Sequence, residues 1–356
     1  MLESGQILQG RYQLQEKLGQ NAGRQTWLAT DIQTSPAQSA IVKLLAFSPQ
    51  MQWEELKLFE REAEVLKNLN HPRIPRYRDS FSIDKQAGAG LYWFGLVQDY
   101  IPGSSLRQML DRGRCFSEAQ VRSFATGILE ILIYLHELSP ALLHRDIKPS
   151  NLILGEDEQI YLVDFGAVQN RAVVEGATFT VVGTTGYTPL EQFWGRAVPA
   201  SDLYALGATI IHLLTGTAPA DLPQRNLRIQ FNDRVSISPS FGRWIDAIAH
   251  PDIDQRFSTA REALAALSTG RSLTASIPII SQPHDSRVEI TKSPSQLKIK
   301  IPGSRKSFIN NIALAIAFIK KLKNVKSNFN LPILDPFGDY CIYLDKDKFA
   351  IERQLV

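Results

Sequence analysis

The hydrophobic pattern changes period once along this chain, and that change limits the folds open to it. Tyr12-Gln-Leu-Gln-Glu-Lys-Leu18 alternates apolar and polar residues, as does a strand buried on one face. Thr26–Thr30 and Ala40–Leu44 have strand character and are separated by a Ser/Pro/Gln loop. Two further strands are expected near Arg76–Ser82 and Leu91–Asp99. One helix interrupts them, over Trp53–Leu69, where Leu56, Phe59, Ala63, Leu66 and Leu69 recur at helical spacing. Pro102-Gly103 ends this regime. Beyond it Ser105–Asp111, Ser117–Glu137, Ser201–Leu214, Phe241–Ala249 and Thr259–Leu267 carry helical periodicity, with a capped start at Ser117. Strands first and helices later predict an α+β protein of two lobes joined near Tyr100.

Past Leu267 the composition shifts. Residues 268–296 hold ten Ser/Thr and three Pro and read as a linker. Residues 297–356 form a tail with strand candidates at Gln296–Ile301 and Cys341–Leu344 and an apolar helix candidate at Phe308–Ile319. The tail holds eleven Lys/Arg against five Asp/Glu, while the rest of the chain is net negative, so attraction to anionic surfaces is expected in the tail alone. The bulk of the chain lacks the charge of a nucleic-acid binder. The helix candidate would span about 18 Å, short of the ~30 Å hydrocarbon layer. Two readings stay open for it: an interfacial helix at acidic lipid, or a helix docked on the tail's own strands. Only two cysteines, no basic-then-apolar start and no long apolar run point to a reducing, cytoplasmic setting, with contact at the membrane surface through the tail as an option.

The chemistry lies in His144-Arg-Asp-Ile-Lys-Pro-Ser-Asn151 followed by Asp164-Phe-Gly166. These supply one carboxylate, a lysine two residues on, an amide five residues on, and a second carboxylate beside a glycine. Phosphoryl transfer needs that inventory: an acceptor for a hydroxyl proton, oxygen ligands for ions on phosphate, and a cation near the moving charge. With these motifs the chain resembles the eukaryotic-like (Hanks-type) serine/threonine protein kinases, in particular their bacterial, cyanobacterial-type branch. The likeness covers residues 11–268, and the separate motifs fall in family order.

The resemblance implies a bilobal kinase fold, with an N-lobe over 11–101 and a C-lobe over 102–268. It implies a protein serine/threonine kinase that uses ATP with Mg²⁺ (or Mn²⁺) and acts on Ser/Thr hydroxyls of proteins, itself included. Asp146 would be the base, Lys148 would offset charge on the transferred group, and Asn151 and Asp164 would hold the metal. Lys43, in Ala40-Ile-Val-Lys43, would contact phosphates and pair with Glu62 on the Trp53–Leu69 helix; Glu60 and Glu64 are the competing choices, set aside by the register of Val65–Pro72. Leu18, Gly19, Asn21, Gly23, Thr26, Asp99 and Ile101 would line the nucleotide site, with Gln98 guarding its rear. Glu191 would pair with Arg256, and Asp202 would anchor the catalytic loop. Arg145 would read a phosphate on Thr178 or Thr180. The glycine loop departs from the family pattern: Asn21 and Arg24 stand where it has its second and third glycines. That departure keeps a rival open, a nucleotide-binding pseudokinase scaffold. A small-molecule kinase of the same fold is a third reading, opposed by the peptide-docking features at Gly183–Glu191.

Overall fold

Alternating residues that can bury one face need a sheet, and the first hundred residues build one. In the computed structural model, which describes residues 2–21, 23–47, 53–86, 88, 90–170, 183–269, 289–292, 297–301, 339–344 and 349–354, this sheet has six antiparallel strands. They are β1 (Ile7–Leu8), β2 (Tyr12–Asn21), β3 (Arg24–Asp31), β4 (Gln38–Phe47), β5 (Tyr77–Ile83) and β6 (Tyr92–Asp99), in the order β1-β2-β3-β4-β6-β5. Helix α1 (Trp53–Asn68) is inserted between β4 and β5. The register sets Thr26 opposite Lys43 and Lys43 opposite Leu96, which fixes where the lysine stands. Tyr12, Leu14, Trp27, Ala29, Val42, Leu44 and Val97 fill one face of the sheet.

After Pro102 the chain forms β7 (Gly103–Ser105), α2 (Leu106–Asp111), α3 (Glu118–His136), β8 (Leu142–Leu143), β9 (Leu152–Gly155), β10 (Ile160–Leu162) and β11 (Gln169–Asn170). Then come α4 (Leu190–Phe193), α5 (Pro199–Thr215), β12 (Gln224–Arg225), β13 (Arg228–Ile229), α6 (Pro239–Ile248) and α7 (Ala260–Thr269). A capping box between Ser117 and Gln120 starts α3, as its sequence predicts. Helices α3 and α5 bury long apolar faces and form the centre of this lobe, packed with α6 and α7. Gly207 allows the closest approach, since a methyl there would fall 2.8 Å from Cβ of Ala249. The register of the short β9–β10 hairpin, with Leu152 opposite Leu162, brings Asn151 and Asp164 to its same open end.

These elements belong to one compact unit, Met1–Ala275; Ser276–Val356 forms a second. In the second, β14 (Glu289–Lys292), β15 (Leu297–Ile301), β16 (Asp339–Leu344) and β17 (Phe349–Gln354) make an antiparallel sheet in that order. Two of its strands are new relative to the sequence reading. One of them, β14, falls within the stretch read as linker. A four-residue strand among Ser and Pro carries too little alternation to stand out. The helix candidate Phe308–Ile319 lies outside the described residues, and among those described no helix is long and apolar enough to cross a membrane.

Four histidines of the first unit, His71, His144, His212 and His250, have pKa values lowered by burial from the usual 6.5. Below pH 6.5 the unfolded chain therefore binds protons that the folded chain refuses. Stability is full above that pH and falls as pH drops toward the folded pKa values, by up to about 1.4 kcal/mol per pH unit for each group. Urea unfolding should show a lower midpoint at pH 5.5 than at pH 7.5. Equal midpoints would mean that the imidazoles take up protons in place.

Candidate active site

A cleft of about 500 Å³ opens beneath the β2–β3 hairpin. It is within the range of small-molecule sites. Leu18, Gly19, Asn21, Thr26, Lys43, Glu62, Asp99, Ile101, Asn151 and Asp164, all expected from the sequence, line it. Gly23 does not. It sits at the tip of the hairpin with φ +82°, and its carbonyl accepts a hydrogen bond from the Ala46 amide at 2.7 Å. The left-handed backbone at that tip is one that favours glycine. Arg24, in place of a glycine, lines the cleft and donates to the Glu55 carbonyl at 3.2 Å, which ties the hairpin to α1. Asp99 lies on the link between lobes, and its side chain is held by Arg78 at 2.6 Å.

Lys43 projects from β4 between two carboxylates. Its Nζ lies 2.5 Å from Glu62 Oε1 and 2.9 Å from Asp164 Oδ1. Burial disfavours the ammonium, but the charges of Asp164 and Glu62 outweigh it and raise the lysine pKa. Lys43 in turn holds the Asp164 carboxyl down to about 2, so both stay ionised near neutrality. Burial pushes the Glu62 carboxyl up against the pull of Lys43. Of the three candidate glutamates, Glu62 makes the pair, because its turn of α1 faces the sheet. Asp164 has φ +69°, a left-handed conformation that Asp tolerates better than most residues.

On the other side of Asn151 lies the group expected to do chemistry. Asn151 Nδ2 donates to the Asp146 carbonyl at 2.8 Å and to Asp146 Oδ2 at 3.0 Å. Lys148 Nζ sits 2.7 Å from Asp146 Oδ2 and donates to Thr184 Oγ1 at 2.8 Å. Thr184 Oγ1 donates to Asp146 Oδ1 at 2.9 Å, so an alcohol already occupies an acceptor position of this carboxylate. Nothing in the spacing of residues 146–151 identified Thr184 as the third member of that triangle.

The loop that holds these residues hangs from α5. Asp202, fully buried, accepts hydrogen bonds from the His144 and Arg145 amides at 3.0 and 2.8 Å, and its Oδ2 lies 2.9 Å from His136 Nε2. Gln192 Nε2 donates to the Arg145 carbonyl at 2.7 Å. The His144 ring packs edge-on against Phe165, 5.0 Å between centroids, joining the loop to the Asp164 turn. Glu191 meets Arg256 at 2.8 Å, as expected, and Ser201 Oγ donates to the same carboxylate oxygen at 2.8 Å. Arg145 is buried, and burial lowers its pKa. Thr178 and Thr180 lie outside the described residues.

The sequence reading missed the apolar walls of the cleft, Ile41, Ile153 and Val163, and the polar supports His136, Gln192 and Ser201. Ile41 could have been found, because it lies two residues before Lys43 on the same strand face. His136 and Gln192 carry no local signal; only the packing of α3 and α4 brings them to the loop.

A strand lysine, a helix glutamate and two acidic loops thus converge on one cleft, in the order the motifs predict. Residues 12–266 match the protein kinase domain family. The chain belongs to that family. It is 36% identical over 276 residues to serine/threonine-protein kinase B of Synechocystis sp., covering 73% of this chain and 46% of that one. Against serine/threonine-protein kinase F of the same organism the identity is 34% over 330 residues, 86% and 66% of the two chains. Serine/threonine-protein kinase PknA of Nostoc sp. is 37% identical over 282 residues, 74% and 48%. The chain spans between about half and two thirds of the length of these relatives. The kinase-domain expectation, with a curled N-lobe sheet and a helical C-lobe, is borne out.

Proposed function

We propose that this chain is a protein serine/threonine kinase that transfers the γ-phosphate of ATP to Ser/Thr hydroxyls of proteins, itself included. The observation that carries this is the triangle of Asp146, Lys148 and Thr184 set beside a cleft that holds Lys43 between Glu62 and Asp164. The relatives named serine/threonine-protein kinases support it. Nothing observed favours the pseudokinase scaffold: the five groups that such a scaffold commonly loses are present and engaged.

The residues fit the nucleotide and its metal. Asn151 turns its amide nitrogen to Asp146, leaving Oδ1 as an oxygen donor, and the Asp164 carboxylate is half-exposed in the cleft. Among the described residues no group of three His, Cys, Asp or Glu side chains forms a closed metal cage. A two-ligand site of this kind suits Mg²⁺, which keeps waters and phosphate oxygens, and Mn²⁺ has the same preference for oxygen ligands. Bound there, the ion would neutralise charge that develops on the phosphates. Lys43, oriented by Glu62, would bind the α/β-phosphates. Asp146 would accept the proton of the substrate hydroxyl at a carboxylate oxygen, and Lys148 would offset charge on the moving group.

The proposal includes a cytoplasmic location, with the basic tail able to meet acidic lipid, and regulation by phosphate on Thr178 or Thr180 read by Arg145. Mass spectrometry of the full chain after incubation with Mg-ATP tests it. Phosphate is expected on Ser/Thr residues of the chain and of added protein acceptors, and none with EDTA. Labelled metabolites without any phosphopeptide would overturn it. Active enzyme with Thr178 and Thr180 both unmodified would reject the regulatory part.

A further inference from the structure

Helix α4 is built inside out. Its two polar residues point inward: Glu191 to the fully buried Arg256 guanidinium and Gln192, itself buried, to the Arg145 carbonyl. Its apolar residues point to water. Leu190 and Phe193 are each 43% exposed, and Trp194, the next residue, is 66% exposed. Side chains of this size expose together on the order of 300 Å² of apolar surface, comparable to the largest patch on a typical monomer, which is often functional. The inward pair explains why the helix faces this way. It does not explain why an aliphatic and two aromatic side chains fill the outer positions, where polar residues would cost nothing.

The patch adjoins the acceptor site. Thr188 Oγ1 donates to the carbonyl of Thr184, whose hydroxyl touches Asp146, and α4 begins two residues later. A methyl placed on Gly183 would lie 3.1 Å from Gln192 Nε2, so the helix packs directly against the turn. Any chain laid along the turn with its hydroxyl at Asp146 runs onto α4. Arg196, exposed and without an ion pair among the described residues, follows Trp194 by two positions, its amide bonded to the Glu191 carbonyl at 2.9 Å. An exposed guanidinium two residues past Trp194 complements a carboxylate that neighbours an apolar side chain.

We infer that Leu190, Phe193, Trp194 and Arg196 form a docking surface for protein substrates, which takes a bulky apolar side chain and an acidic neighbour flanking the phosphorylated residue. This rests on the kinase reading and names the substrate class that the site prefers. The surface selects acceptors by contacts outside the reacting atoms, so it governs binding of the substrate and not the chemical step.

The test uses the full chain and two fluorescein-labelled peptides. One is a Ser-free Ala/Gly/Lys peptide with a single Thr; the other carries Leu-Glu-Phe-Glu flanks on both sides of that Thr. Fluorescence anisotropy should show the flanked peptide binding at least tenfold more tightly. In the double variant Phe193→Ser, Trp194→Ser this advantage should fall below twofold, with the melting temperature and turnover of the plain peptide unchanged. Equal binding of both peptides by the wild type, or an advantage that survives in the variant, overturns the inference. A concentration-dependent dimer in sedimentation that the double variant abolishes also overturns it, assigning the patch to a second copy. Binding is read without turnover, so the two readings fail separately. A flanked peptide that binds with the expected preference and is never phosphorylated supports the surface and counts against the kinase reading.

Discussion

Asp146→Asn should lower kcat for protein phosphorylation about 10³–10⁴-fold while leaving ATP affinity within about threefold of wild type, the loss expected when a general base disappears. The substitution keeps size and one acceptor oxygen, while the amide nitrogen that replaces the other can no longer accept from Thr184. Asn151 and Lys148 still find an oxygen at position 146, as they do at 3.0 and 2.7 Å now, but the proton acceptor is gone. Because Asp146 does not line the nucleotide cleft while Lys43 and Asp164 do, the effect should separate chemistry from binding. Radiolabelled ATP with a protein acceptor gives kcat, and equilibrium nucleotide binding gives affinity. Equal incorporation by variant and wild type would end the assignment of Asp146 as base. A parallel loss of ATP binding would show instead that the loop had collapsed.

Arg256→Ala should have the largest effect on stability, a loss of about 3–5 kcal/mol, because it leaves a carboxylate without its cation in the interior. The Arg256 side chain is 0% exposed and that of Glu191 14%. The guanidinium also donates to the carbonyls of Ala200 at 2.7 Å and His250 at 2.9 Å, and these would lose their donor as well. For a unit of this size that is a fall in melting temperature of roughly 10 °C. Glu191→Gln should cost much less, since an amide oxygen still accepts from Arg256 and Ser201 and no charge is stranded. Thermal unfolding of both variants checks the pair. A fall below about 1 kcal/mol for Arg256→Ala would show that the surrounding loops relax to let water in.

The site was legible in the sequence where chemistry imposes a local pattern. His144–Asn151 and Asp164–Gly166 name their own residues, since the groups that handle phosphate must be carboxylate, amide and ammonium at short fixed spacings. Lys43 was legible through the family resemblance of Ala40-Ile-Val-Lys43, and the register of Val65–Pro72 pointed to Glu62 over Glu60 and Glu64. Arg24 was legible only as a departure. Its bond to Glu55 of α1, which joins the hairpin to the helix carrying Glu62, belongs to the folded chain. Gly23 was assigned to the nucleotide and stands at the hairpin tip outside the cleft lining; a glycine's need for positive φ looks the same in sequence whether or not a ligand follows.

By itself the sequence placed the main N-terminal strands and the helices α1, α3 and α5, and it named candidate groups for the chemistry; the short strands β7–β13 it did not show. What it placed and named follows from near-neighbour residues: periodicity, turn chemistry and side-chain acidity act over a few positions. Only the tertiary structure decided that Thr184 closes on Asp146 across 38 positions, that His136 and Gln192 hold the loop, and that α4 turns its aromatic residues outward. Those contacts are set by which helix faces pack together, and packing is a property of the whole core, not of any segment within it.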